Sequence, residues 1–272
     1  QSDLMLDCGF KSSKPAQAFI INNLSLKKES NKDIFHQLNL KFSRIESNDF
    51  VAIIKDGKSI EYNFLGDINC HKKQVRILHQ ALPSLLFQRE SFVLHGSAFE
   101  YNGRAIIIMG SSGSGKSESI NIIQKQNKII SDDILAIGNL QNTQFCYPGL
   151  SALCIKKTDS KRPLNDKRKR SIEIITRKNM TKEKLTISDI FFLHWGGENK
   201  ILGADSVNSL KQIISNSFRP IPSGDCKKSE EFYLSSAINL ISNSNQYNFY
   251  RKRGDVNHSI QYLYNFLEKK YD

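Results

Sequence analysis

The stretch from Arg104 to Gln126, RAIIIMGSSGSGKSESINIIQKQ, constrains this chain more than any other. Its apolar run reads as a buried strand, and Ile120 and Ile123 mark the apolar side of a helix that follows. Between them, Gly110, Ser111, Ser112, Gly113, Ser114, Gly115, Lys116 and Ser117 fit G-x-x-x-x-G-K-[ST] at every fixed position. Glycines in that pattern let backbone N–H groups turn inward around phosphate oxygens. Lys116 then reaches the β- and γ-phosphates, and the Ser117 hydroxyl is offered to Mg²⁺. Strand, loop and helix together predict an α/β fold with a P-loop, and a nucleotide site formed by Gly110 to Glu118.

The flanks of this unit carry the remaining candidate chemistry. Asn102-Gly103 predicts a two-residue hairpin, because both residues tolerate positive φ. Its register sets Ser97 against Ile108 and His95 against Gly110, beside the phosphates. A core histidine satisfied by a backbone group is the competing reading of His95. Downstream, KIISDD predicts a strand parallel to Arg104–Met109 after a helical crossover, bringing Asp132 and Asp133 to the same sheet edge. One carboxylate there can hold Mg²⁺, directly or through water, and another can accept a proton from an attacking hydroxyl. Which aspartate does which stays open, and paired aspartates are also ordinary turn formers.

The rest of the chain sets the frame. Residues 1–70 contain short apolar runs separated by polar clusters, with a hairpin signal at KDGK, and are expected to form a small strand-rich region. Residues 71–272 are expected to form the P-loop domain with a helical C-terminal part. It opens with a helix carrying Val75, Leu78, Leu82 and Leu85 on one face. Later helices are marked by Val207, Leu210, Ile214 and Phe218, by Leu234, Ile238 and Ile241, and by Val256, Ile260, Leu263 and Leu267, and IFFLHW at Ile190 to Trp195 reads as a buried strand. Five cysteines (Cys8, Cys70, Cys146, Cys154 and Cys226) are far apart, with no C-x-x-C pair, so neither a zinc site nor a disulfide framework is expected. No apolar run approaches the roughly 18 residues of a membrane helix, and no signal-peptide layout is present, which points to a soluble, cytoplasmic protein without membrane partners.

The order LHG, NG, GSSGSGKSE and SDDILAI between Phe92 and Ile155 resembles the catalytic domain of HPr kinase/phosphorylase and the HPr-kinase-like enzymes. That group includes the kinases of lasso-peptide clusters, which phosphorylate a precursor-peptide serine. The resemblance implies a small N-terminal region beside an HPr-kinase-like P-loop domain, with ATP and Mg²⁺ held through Lys116 and Ser117. It further implies that one of Asp132 and Asp133 is the base and that His95 orients or assists it. CYPGLSALCI and NDKRKR resemble elements of the HPr-kinase-like branch. The glutamate and arginine ahead of a glycine-rich run, a second signature of true HPr kinases, have no counterpart near Tyr147 to Cys154, so the resemblance does not extend to HPr as acceptor.

With 39 Lys and Arg against 27 Asp and Glu, a net charge of +12, the chain favours anionic partners. The expected reaction is transfer of the ATP γ-phosphate to a hydroxyl, with a serine of a peptide or protein as partner, and a small-molecule serine or sugar kinase as the alternative. Lys167, Arg168, Lys169 and Arg170 close a basic segment that could capture an acidic acceptor. A nucleic-acid-binding or regulatory ATP module is the reading from another class. It is disfavoured because no aromatic residue lies between Tyr147 and Phe191 to stack on bases. Self-association is left open.

Overall fold

The computed structural model describes residues 4–6, 18–22, 25–29, 34–38, 41–65, 71–89, 91–149, 152–156, 170–174, 179–218 and 226–272. Six strands make a first sheet: β1 (Leu4–Leu6), β2 (Ala18–Asn22), β3 (Ile34–Leu38), β4 (Phe42–Ser47), β5 (Phe50–Lys55) and β6 (Ser59–Phe64). Their order is β1-β2-β6-β5-β4-β3, and the β2–β6 pair is parallel. The KDGK turn joins β5 to β6 through Asp56 (φ 51°), Gly57 (φ 61°) and Lys58, with Lys55 opposite Ser59, and Asp and Gly suit the two positive φ values. Helix α1 (His71–Gln88) buries Ala81, Leu82, Leu85 and Leu86 against Ile45, Phe50, Ile54 and Ile60 of this sheet. Val93, Ile134 and Ala136 belong to the same core.

The second sheet has nine strands and branches. They are β7 (Phe92–Leu94), β8 (Ser97–Tyr101), β9 (Arg104–Met109), β10 (Ile129–Asp132), β11 (Leu135–Leu140), β12 (Thr143–Tyr147), β15 (Leu185–Gly196), β16 (Lys200–Gly203) and β17 (Asn245–Lys252). The order runs β10-β8-β9-β15-β12-β11-β7, with β17 on the other flank of β15 and β16 beside β17. Its twelve residues let β15 serve both arms: Thr186 pairs with β12, while Ile187 onward runs parallel to β9 and, from Asp189, to β17. Between β12 and β15, β13 (Ala152–Lys156) and β14 (Arg170–Ile174) form a separate two-stranded ribbon.

After the exposed Arg104 the run AIIIM is apolar throughout, as suits a strand covered on both faces. Ala105, Ile107 and Met109 face a core shared with Ile213 of α3 (Ser206–Ser215) and Tyr233, Ala237 and Leu240 of α4 (Cys226–Ser242). Ile106 and Ile108 face Ile120 and Ile123 of α2 (Lys116–Ile123) and Ile260, Leu263 and Leu267 of α5 (Val256–Tyr271). Asp205 caps α3, its side chain accepting from the Asn208 N–H at 2.9 Å. Two expected faces are corrected. On α3, Leu210 and Ile214 pack against the core, as does Phe218 beyond its end, but Val207 in the first turn is 63% exposed and Ile213 is the buried apolar residue. On α4, Leu234 and Ile238 are 45% and 46% exposed, and the buried stripe lies one residue earlier, at Tyr233, Ala237 and Leu240. The two stripes are adjacent on the helix, and Tyr233 settles the rotation by stacking on Phe87 and meeting Phe92 edge-on. Among the described residues no helix is long and apolar enough to cross a membrane.

Candidate active site

Strands β9, β15 and β17 run in one direction; β9 ends at Met109, level with Phe192, and the glycine-rich loop leaves there, while β15 and β17 continue side by side to Gly196 and Lys252. Gly110, Gly113 and Gly115 hold φ of 154°, 87° and 86°. A Cβ on Gly110 would stand 2.7 Å from Ser114 Oγ, and one on Gly115 would stand 2.7 Å from Arg251 Nη2. Glycine is therefore required at both positions by space as well as by dihedral angle. Lys116 is buried, with Nζ donating to Gly110 O at 2.7 Å and Ser111 O at 3.3 Å. The Ser114 hydroxyl is buried inside the loop with no hydrogen-bond partner among the described residues. A buried polar atom left unsatisfied is unfavourable, and a phosphate oxygen in the cradle would relieve it.

The hairpin register holds as the sequence indicates, with Tyr101 opposite Arg104 and Ser97 opposite Ile108. Asn102 (φ 46°) and Gly103 (φ 72°) form its turn. The ladder stops there, and His95 is not opposite Gly110. At His95 and Gly96 the chain passes from β7, which pairs with β11, to β8, which pairs with β9 and β10. Gly96 permits the crossing, since a Cβ there would lie 3.0 Å from Ile108 O. The His95 N–H donates to Asn216 O at 2.7 Å. The ring turns to Asp133, with Nδ1 3.1 Å from both Oδ1 and the backbone oxygen of that residue.

Strand β10 runs in the same direction as β9, with β8 between them, and α2 makes the crossover. Asp132 at its end is 1% exposed. Its Oδ1 accepts from Ser97 Oγ at 2.6 Å and lies 3.5 Å from Ser117 Oγ. Asp133 follows in the left-handed region (φ 74°), which sends its carboxylate away from its neighbour's and toward His95. The two aspartates thus serve different surroundings, a separation that sequence left open.

Four further residues at the site escaped the sequence reading. Ser97 holds Asp132; its place opposite Ile108 was legible, its hydroxyl's use was not. Arg251, from β17, is 1% exposed and reaches under the loop, donating to Ser119 Oγ at 2.8 Å and to Ser114 O. Burial pulls its pKa down to about 10, against the opposing pull of the Glu118 carboxylate, so it remains a cation at neutral pH. Trp195, at the end of β15, has Arg251 at 5.1 Å and Arg253 at 5.6 Å from its ring. The basic candidates Lys167, Arg168 and Lys169 lie outside the described residues, and Arg170 opens β14, whose partner β13 borders α2 and β10.

No family profile matches the chain, and no curated protein sequence matches it. Among solved structures it is similar to the Hpr(Ser) kinase/phosphatase from Coxiella burnetii, with a TM-score of 0.39 and 12% identity over 65% of this chain and 97% of that one. This is a distant likeness in fold.

Proposed function

We propose that this chain is an ATP-dependent phosphotransferase that moves the γ-phosphate to a hydroxyl, with a serine of a peptide or protein as acceptor. The observation that carries the reading is the approach of Ser117 Oγ to Asp132 Oδ1, 3.5 Å, at the mouth of a glycine loop whose Ser114 hydroxyl is buried without a partner among the described residues. Ser117 and Asp132 would hold Mg²⁺, which binds through few protein oxygens and shares the rest of its shell with phosphates and water, and whose charge would offset that of the β- and γ-phosphate oxygens.

The chain's own groups account for the remaining steps. Lys116, released from Gly110 O and Ser111 O, meets the charge on the γ-phosphate. Asp133, oriented by His95, takes the proton of the acceptor hydroxyl as its oxygen bonds to phosphorus. The bond from phosphorus to the bridging oxygen breaks, and ADP leaves with the electron pair. The serine acceptor and the capture of an acidic peptide by Lys167, Arg168, Lys169 and Arg170 rest on the sequence resemblance and the basic charge.

The test is transfer from γ-labelled ATP to a library of serine peptides. Lys116→Ala should abolish transfer while the variant remains folded; wild-type turnover by that folded variant would rule the reading out. Asp132→Asn should raise the Mg²⁺ requirement. Asp133→Asn, which keeps a residue type tolerant of positive φ, should lower the rate about 100-fold or more while nucleotide still binds.

A further inference from the structure

The sheet order gives the nucleotide site two sides. On one flank of β9 lie β8 and β10 with Asp132, where the terminal phosphates belong if the proposed reaction is right. On the other lie the ends of β15 and β17, with Trp195, Arg251 and Arg253. A nucleotide seated in the loop with its γ-phosphate toward Asp132 would have this second flank open to its nucleoside.

The residues there suit a flat heterocycle. Trp195 lies beside the end of the loop, its ring 3.6 Å from where a Cβ of Gly115 would be, and it is part exposed. Arg251 fixes it from the buried side, since that guanidinium is bonded to Ser119 and Ser114 as well as lying 5.1 Å from the ring. Its Nε is buried with no hydrogen-bond partner among the described residues, so the group is committed to this spot without being saturated. Arg253 is exposed and 5.6 Å from the same ring, a planar cation at the solvent boundary. Aromatic and guanidinium planes both stack on nucleobases. A bare phosphate site has no use for such a pair. We infer that Trp195 and Arg253 form the nucleobase subsite of this nucleotide site, an inference that rests on the loop binding a nucleoside triphosphate.

Trp195 is the single tryptophan of the chain, so its emission reports the subsite directly. The wild-type protein is titrated with Mg-ATP and with magnesium tripolyphosphate, following tryptophan fluorescence and, in parallel, the heat of binding. Saturable quenching by ATP, and binding of tripolyphosphate without it, is expected. Arg253→Ala, at an exposed position, and Trp195→Leu should each weaken ATP about tenfold and leave tripolyphosphate affinity unchanged. Trp195→Phe, checked by circular dichroism, should restore most of the ATP affinity if the leucine variant misfolds. ATP binding with no change in emission, together with wild-type ATP affinity in Arg253→Ala, would overturn the subsite while sparing the phosphate loop. Absence of heat with both ligands would instead overturn the nucleotide reading itself.

Discussion

Arg251 shows how much a single residue can hold at this site. One guanidinium joins Ser114 of the loop, Ser119 of α2 and the Trp195 ring, and it stands where any side chain at Gly115 would have to go. Removing it leaves Ser114 O and Ser119 Oγ without that donor in a buried space. Arg251→Ala should therefore cost about 2 kcal/mol of stability, the scale of hydrogen bonds to a charged group, and weaken nucleotide binding as the loop loosens. Arg251→Lys should rescue little, because a single ammonium cannot span both oxygens as the planar fork does. Urea unfolding and ATP calorimetry on the two variants check this; full rescue by lysine would mean that only the charge matters. Nothing in the local sequence advertises the role, since the partners of Arg251 are 132 and 137 residues away.

At the scale of elements, legibility follows the range of the interactions. The strand, loop and helix from Arg104 to Ile123 were readable because their geometry is local: apolar run, glycines, then an amphipathic turn. The Asn102-Gly103 hairpin was readable down to its register for the same reason. His95 was misplaced because the ladder ends where the chain changes arms of the sheet, and that switch depends on β11 and β10 pairing from elsewhere. Strand β17 was missed because NQYNFYRK has no clean apolar alternation; its order comes from β15 and β16 on either side. The rotation of α4 was wrong by one residue for a tertiary reason, the seat of Tyr233 between Phe87 and Phe92. That correction is measurable. Leu240→Ala, at a fully buried position, should cost about 2–5 kcal/mol. Leu234→Ser and Ile238→Ser should each stay within about 0.5 kcal/mol of wild type in the same denaturant titration.

For the whole molecule, the three cores divide the labour. The loop and α2 rest on the core beneath α5, whereas His95 and Asp133 emerge from backbone rooted elsewhere. Val93, two residues before His95, and Ile134, directly after Asp133, are packed with α1 and β4 to β6. The boundary expected at residue 70 falls between β6 and α1, and residues on both sides of it share this cluster. Ile54, fully buried in the first sheet, offers a way to disturb one core and not the other. Ile54→Ala should lower stability by about 2–5 kcal/mol. Below its melting point it should slow phosphate transfer while leaving the dissociation constant for ATP unchanged; parallel loss of both would mean the cores are not separable in this way. If only the rate falls, the first sheet would set the rate of the proposed reaction without setting the affinity for ATP, and a change among its buried apolar residues would alter one and leave the other.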